Sequence, residues 1–162
     1  MLVILAAAFT QFFVRGRLGF AADLSVGLIE VSGMIAVTLL FYDIFKAVNR
    51  SLSLLAASFN FLALTLELIQ LIPRGVFIGI GFHGFYCFLI GYLIFRSTFL
   101  PRTLGVLMAL AGVGWLIVLS ALANQLSTYF KILGFLAEAS LMLWLIVKGV
   151  DIARWKGRAS AA

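Results

Sequence analysis

Apolar segments of bilayer length are the feature that most restricts how this chain can fold. The hydrocarbon core of a membrane is about 30 Å thick, and a helix needs roughly 20 apolar residues to cross it. Backbone polar groups find no water there, so an open sheet edge is excluded. The sequence also lacks strand-like alternation, and it therefore predicts an all-α, polytopic transmembrane helix bundle. Five segments are interpreted as full spans: Phe20–Phe45, Ser51–Ile72, Val76–Phe95, Thr103–Ala123 and Ile132–Val147.

A shorter apolar segment, Met1–Val14, precedes these five. As a helix it would extend about 21 Å, which is less than the hydrocarbon thickness. A signal peptide carries its basic residues before the apolar part, whereas Arg15 and Arg17 follow it here. The segment is interpreted as a short, tilted span, or as the end of a helix that begins earlier. The prediction is thus about six helices, the first one short.

Turn residues and polar stretches set the expected boundaries between spans. Pro73-Arg74-Gly75 ends one span and makes the next connection very tight. The basic stretch Arg96–Arg102 contains Pro101 and is predicted to be a turn followed by a new helix. The polar stretch Asn124–Lys131 is predicted to be a loop. The last span is expected to run on beyond Val147 toward Trp155.

The amino-acid composition indicates that the folded chain is surrounded by lipid and not by water. Of its 162 residues, 64% are hydrophobic and 11% are charged, too few polar residues to cover a water-soluble globule. No polar stretch is long enough for a soluble module, so residues 1–162 are predicted to form a single domain. The net charge of +6 comes from basic residues between apolar segments and in the C-terminal tail, where anionic lipid headgroups bind them. The expected partners are membrane lipids and a membrane-protein partner or a second copy of the chain, and not nucleic acid.

The basic residues also predict an orientation, because Lys and Arg are enriched in cytoplasmic loops. If Met1–Val14 is a span, eight basic residues share one side: Lys46, Arg50, Arg96, Arg102, Lys148, Arg154, Lys156 and Arg158. Four share the other: Arg15, Arg17, Arg74 and Lys131. The larger group predicts that both termini are cytoplasmic.

Glycines in the central spans predict close helix packing. The sequence Gly79-Ile-Gly81-Phe-His-Gly84 matches the dinucleotide-binding fingerprint, but both flanks are parts of one apolar helix, so that interpretation is rejected. Small residues at helical spacing allow neighbouring helices to approach closely. Two such rows are Gly84, Cys87 and Gly91 in one span and Gly105, Ala109 and Gly112 in the next. Leu93 is assigned to the lipid-facing side.

Polar residues inside the spans are the candidates for a site. They recur at spacings of three and four and therefore share inward faces of their helices. The candidate ligand-binding residues are Glu30, Asn60, Glu67, Gln70, His83, Tyr86 and Glu138. Helical rise places Glu67, His83 and Glu138 about 9 to 12 Å below one interface, so these three are predicted to form one coupled group. Exposure of each to lipid would cost roughly 2.5 to 3.5 kcal/mol.

Several functions remain open for such a group. It can be a structural set of interhelical hydrogen bonds, or a pocket that binds a small ligand, an ion or a lipid headgroup in a non-enzymatic membrane protein. A membrane-embedded enzyme with Glu and His acid-base groups and a small proton-coupled transporter are the alternatives. No metal and no cofactor are expected, because His83 has no second histidine or Glu-x-x-His spacing. Cys87 lies one turn from His83, but no orienting acid is evident beside them, and catalytic residues are unknown.

A family resemblance is carried by GFHGFYCFLIGYLIFRSTFLPRTLGVLMALAGVGW, with FFVRGRL and VNRSLSLLAASF before it and LMLWLIVKGVD after it. The region from Phe12 to Asp151 resembles the family of membrane proteins known as domain of unknown function 4386. The resemblance implies a multi-pass helical protein of the bacterial inner membrane, and it implies no activity or substrate. Members usually have more residues before the FFVRGR segment and a longer connection between the third and fourth helices. The first difference suggests a truncated or late start here.

Overall fold

The part of the chain that the structure describes consists of helices joined by short turns. The computed structural model describes residues 20–70, 78–118 and 123–160. Its helices are α1 (Phe20–Phe45), α2 (Arg50–Gln70), α3 (Ile78–Arg96), α4 (Arg102–Val118), α5 (Ala123–Val147) and α6 (Ile152–Ala159). The all-α prediction is confirmed, and α1 to α5 correspond to the five predicted full spans. The predicted short helix at Met1–Val14 lies outside the described residues.

The predicted loop at Asn124–Lys131 is wrong, because α5 already begins at Ala123. The stretch is polar but contains neither glycine nor proline, so nothing in it interrupts a helix. A polar stretch shows where a helix leaves an apolar environment. It does not show where the helix ends.

The predicted continuation of the last span toward Trp155 is also wrong. Helix α5 ends at Val147, and Gly149 follows with a φ of 68°, a conformation that favours glycine. A separate helix, α6, then begins after Asp151, whose carboxylate accepts a hydrogen bond from the backbone N–H of Arg154 at 3.1 Å. The chain therefore turns at Gly149 before its last helix.

The outer surface of the helices is apolar. Four helical segments in the described part of the chain are long and apolar enough to cross a membrane: Gly27–Phe45, Arg50–Ile69, Gly79–Arg96 and Thr128–Val147. A shorter apolar helix covers Arg102–Ile117. Large hydrophobic side chains such as Ile29 and Leu40 are about 60% exposed on this surface. Water-soluble monomers rarely expose so much contiguous apolar area, so the surface is suited to contact with lipid.

Helices α3 and α4 touch through their backbones. A Cβ atom added to Gly91 would lie 2.5 Å from the backbone nitrogen of Ala109 and 2.7 Å from the carbonyl oxygen of Gly105. A Cβ atom added to Gly112 would lie 2.5 Å from the backbone nitrogen of Phe88 and 2.7 Å from the carbonyl oxygen of Gly84. The prediction that these small residues form packing faces is confirmed. The contact fixes the distance between α3 and α4, and α3 carries the histidine.

Helix α6 holds the connections at one end of the bundle together. The indole N–H of Trp155 donates to the carbonyl of Ile44 at 3.0 Å, and the guanidinium of Arg154 donates to the carbonyl of Thr98 at 3.2 Å. The end of α1, the turn between α3 and α4 and the start of α6 are therefore neighbours. We call this the basic end, because Lys and Arg side chains are concentrated there. Three of these side chains lie over aromatic rings. These pairs are Arg96 with Tyr92, Arg102 with Phe95 and Lys148 with Trp144.

Candidate functional site

A group of polar side chains meets at His83 in the interior of the bundle. The imidazole Nδ1 lies 3.3 Å from Asn60 Oδ1, and Nε2 lies 3.2 Å from Glu138 Oε1. Cys87 Sγ lies 3.5 Å from the same Nε2 and 3.8 Å from Glu138 Oε1. Asn60 contacts Thr38 in turn, at 2.6 Å between Nδ2 and Oγ1. We call these five residues, Thr38, Asn60, His83, Cys87 and Glu138, the polar cluster.

The helical repeat explains how the sequence assembles this cluster. His83 and Cys87 are four residues apart on α3, so they lie one above the other on the same face. Asn60 lies on the face of α2 that contacts α3, and Glu138 lies on α5. Thr38 belongs to α1, so four helices each contribute to one set of polar contacts. The cluster exists only when these helices pack together.

Hydrogen-bond directions orient the imidazole. The hydroxyl of Thr38 donates to the carbonyl of Met34 at 2.7 Å, so its oxygen accepts from the amide NH₂ of Asn60. The amide oxygen of Asn60 therefore accepts from Nδ1–H of His83. In the neutral imidazole this leaves the Nε2 lone pair directed toward Cys87 and Glu138. A carboxylate and a bare Nε2 at 3.2 Å repel each other unless a proton or another cation lies between them.

Two aromatic side chains flank the imidazole. The ring of Tyr86 lies 5.8 Å from the ring of His83, and the ring of Trp115 lies 6.1 Å from it, measured between centroids. The indole of Trp115 packs against Gly134, one turn before Glu138 on α5. Trp115 Nε1 is buried and makes no hydrogen bond to any residue that the structure describes. His83 thus has two aromatic neighbours beside its polar partners.

The cluster is buried at three of its residues and partly exposed at the other two. Thr38, Asn60 and Cys87 are fully buried, whereas the side chains of His83 and Glu138 are 21% and 26% exposed. Counted along the helices, Asn60, His83 and Glu138 lie roughly 15 to 20 Å from the basic end. That depth is near the middle of a hydrocarbon core of about 30 Å. The carboxylate and the imidazole are thus the two groups of the cluster that are partly exposed.

Several of the residues predicted from the sequence come together here. Asn60, His83 and Glu138 share hydrogen bonds, and Tyr86 packs against the imidazole. Glu30 and Glu67 are half-buried and engage in interactions of their own, and neither is among the described polar partners of His83. The side chain of Gln70 lies outside the described part of the structure.

No orienting acid beside His83 and Cys87 was evident on their own helix, but Glu138 on α5 contacts both, and its contact with His83 is the one that the predicted coupled group contained. Depth along each helix placed Glu138 level with His83, but a sequence does not show which helices are neighbours. Thr38, Cys87 and Trp115 were not among the predicted site residues. Only Cys87 had a usable signal, its spacing of one helical turn from His83.

The atoms of the polar cluster allow three kinds of chemistry. Nε2 of His83, Sγ of Cys87 and a carboxylate oxygen of Glu138 all lie within 4.8 Å of one another and are each metal-ligand atoms. The same three groups can share a proton. Cys87, His83 and Asn60 also reproduce the order of nucleophile, base and orienting amide found in thiol hydrolases.

Comparison with known proteins gives a family and no activity. The sequence model of the family described as domain of unknown function (DUF4386) matches residues 63–149. An uncharacterized protein of Archaeoglobus fulgidus is 26% identical over 127 residues, covering 71% of this chain and 76% of the relative. No solved structure matches the chain significantly. The matched region contains His83, Cys87 and Glu138.

Proposed function

This chain belongs to the family described as domain of unknown function DUF4386, and from that premise we propose that it is a multi-pass membrane protein that binds a small cation within its helix bundle. The polar cluster is the binding site. The proposed location is the bacterial inner membrane, or the corresponding plasma membrane of an archaeon, with the basic end in the cytoplasm. The protein itself acts by binding and needs no catalytic group.

One observation carries the proposal. A carboxylate, a thiol and an imidazole nitrogen that bears a lone pair converge within hydrogen-bonding distance, near the middle of apolar helices. Side chains of this kind are costly inside a membrane unless they pair with each other or with a bound ion. A cation bound between the Glu138 carboxylate and the Nε2 lone pair of His83 would remove the repulsion between these two acceptor atoms, which lie 3.2 Å apart.

Orientation can be tested with single cysteines in a Cys87→Ala background. Gly75 falls in the sequence between the end of α2 and the start of α3, and Ser160 lies just after α6 at the basic end. A membrane-impermeant maleimide should label Gly75→Cys in intact cells and Ser160→Cys only after permeabilisation, because basic residues favour the cytoplasmic side. Asn49→Cys, in the turn between α1 and α2, is the matched control and should behave like Ser160→Cys. Labelling of all three from the same side would contradict a multi-pass arrangement.

Access to the site can be measured on Cys87, since it is the only cysteine in the chain. A cationic methanethiosulfonate should modify it in native membranes on the order of tenfold faster than an anionic one, because the Glu138 carboxylate attracts the cation. Glu138→Gln should remove this preference, whereas Glu30→Gln should keep it. Intact-mass spectrometry gives both rates. Because Cys87 is fully buried, the reaction reports on openings of the bundle at this site, and equal rates for the two reagents would overturn the cation-binding function.

A membrane-embedded thiol enzyme is the second candidate, favoured by the alignment of Cys87, His83 and Asn60. In such a reaction Sγ would attack an acyl carbonyl while Nε2 took the thiol proton and then gave it to the leaving alcohol. Cys87 lies well inside α3, so its backbone N–H is used within the helix and is not free to stabilise an oxyanion. This geometry favours binding over catalysis. The same mass measurement with an acyl ester would reveal an acyl adduct on Cys87 if the enzyme hypothesis were correct.

A further inference from the structure

We propose that the polar cluster is a transition-metal site that takes Zn²⁺ or an ion of its class. Its ligand atoms are His83 Nε2, Cys87 Sγ and a carboxylate oxygen of Glu138. This inference rests on the proposed cation-binding function and names the cation. It departs from the expectation drawn from sequence spacing, because the third ligand comes from a helix that is distant in the chain.

The distances between the three atoms fit one tetrahedral ion. With Zn–N near 2.0–2.1 Å, Zn–S near 2.3 Å and Zn–O near 2.0–2.2 Å, tetrahedral angles require N···O of about 3.4 Å and S···N and S···O of about 3.6 Å. The corresponding separations are 3.2, 3.5 and 3.8 Å. No ligand atom has to move by more than a few tenths of an ångström. The site is thus close to the geometry that an ion would impose.

The imidazole is already oriented as a metal ligand. Histidines that bind metals usually donate their other ring N–H to an oxygen acceptor, which fixes the tautomer and the ring plane. Here Nδ1–H donates to Asn60 Oδ1, and the amide of Asn60 is held in turn by Thr38. The Nε2 lone pair is consequently directed at the position between Cys87 and Glu138. Asn60 is a positioning residue for the ligand.

The ligand set selects the class of ion. Mg²⁺ and Ca²⁺ prefer six or more oxygen ligands, and a site with one carboxylate, one imidazole and one sulfur offers them little. Imidazole with thiolate and carboxylate suits Zn²⁺ and Co²⁺ in tetrahedral geometry. A thiolate and a carboxylate would also balance the two positive charges, which matters in a low-dielectric interior. Three protein ligands leave a fourth position for water or another small ligand.

The proposal can be tested with Co²⁺ as a spectroscopic probe for Zn²⁺. His83 and Cys87 are the only histidine and cysteine in the chain, so any imidazole or thiolate ligand of the metal must come from this site. The purified full-length protein must carry no polyhistidine tag. Co²⁺ should then give strong tetrahedral visible bands and a near-ultraviolet sulfur-to-metal band, at about one ion per chain, and Zn²⁺ should abolish both. Mg²⁺ should not compete.

Variants separate this site from weak surface binding. Cys87→Ser is nearly isosteric and should remove the sulfur-to-metal band, and Glu138→Gln should weaken Co²⁺ binding. Asn60→Ala leaves all three ligands and should lower the affinity about 10- to 100-fold. Asp151→Asn changes an exposed carboxylate at α6 and should bind like the parent. Size-exclusion chromatography in detergent shows which variants remain folded.

The outcomes distinguish failure of this inference from failure of the proposed function. If the folded parent protein shows no sulfur-to-metal band with Co²⁺, or keeps it in Cys87→Ser, the metal site is refuted. If the preference of Cys87 for the cationic reagent is nevertheless present and depends on Glu138, the cluster still binds a cation, and that cation is a proton or another small ion. If both measurements fail, the cluster is a structural hydrogen-bonded group.

Discussion

Replacing Gly91 with alanine should lower the free energy of unfolding by about 3 kcal/mol, the upper part of the range for overpacked interiors. The added methyl group would lie 2.5 Å from the Ala109 backbone nitrogen and 2.7 Å from the Gly105 carbonyl oxygen. Both atoms belong to the backbone of α4, so no side chain can turn aside and the two helices must separate. Reversible unfolding in mixed detergent micelles measures the change.

Two other glycines provide graded controls for this prediction. At Gly79 the nearest atom would be the Ala63 carbonyl oxygen at 3.2 Å, so alanine there should have a smaller effect. At Gly157, in α6, an added methyl group meets nothing within 4 Å. Gly157→Ala should be neutral or stabilising by up to about 1 kcal/mol, because alanine favours a helix. If Gly91→Ala and Gly157→Ala unfold alike, the close backbone contact of α3 with α4 is not a source of stability.

Replacing Asn60 with leucine should lower the free energy of unfolding by about 2 kcal/mol. Leucine fills a similar volume but loses the contacts to Thr38 and His83, at 2.6 and 3.3 Å, and single interhelical hydrogen bonds in membrane proteins contribute at most about 1.7 kcal/mol. Leu62→Ala, on the exposed side of the same helix, should stay within about 0.5 kcal/mol of the parent protein.

A double-mutant cycle shows whether Asn60 acts through the imidazole. In a His83→Leu background, Asn60→Leu should cost clearly less than it does alone, because one of its two partners is already absent. Strict additivity of the two substitutions would mean that Asn60 does not act through His83. The cycle uses the same micelle measurement and needs no identified ligand.

The helices were predictable from the sequence because bilayer thickness fixes how long an apolar segment must be. The boundaries of Phe20–Phe45 agree with α1 for this reason. The start of α5 was missed because a polar stretch without breakers remains helical. Leu93, assigned to the lipid-facing side, is fully buried, because apolar side chains occupy every face of α3 and periodicity does not separate the lipid side from the core.

The candidate site was predictable in part. The signal was the depth of each polar residue below the membrane interface, counted along its helix, and not a sequence motif. Helical rise correctly placed His83 and Glu138 at one level, and their side chains meet. It did not fix the register between α2 and α3. Gly79 packs against α2 beside the backbone of Glu67, and His83 lies one turn further along α3, which brings it opposite Asn60 instead. A sequence alone does not contain this offset, because it depends on how closely the two helices approach.

The order of the polar cluster along the chain has a consequence for biosynthesis. Thr38, Asn60, His83 and Cys87 are all translated before α5, and Glu138 arrives with the last long helix. Until α5 has been inserted, His83 and Cys87 lie in the membrane without the carboxylate that completes their surroundings. A nascent or truncated chain therefore differs from the finished protein by an incomplete polar face on α3. The cost of exposing these two side chains to lipid therefore falls on the chain during insertion, and the arrival of Glu138 relieves it.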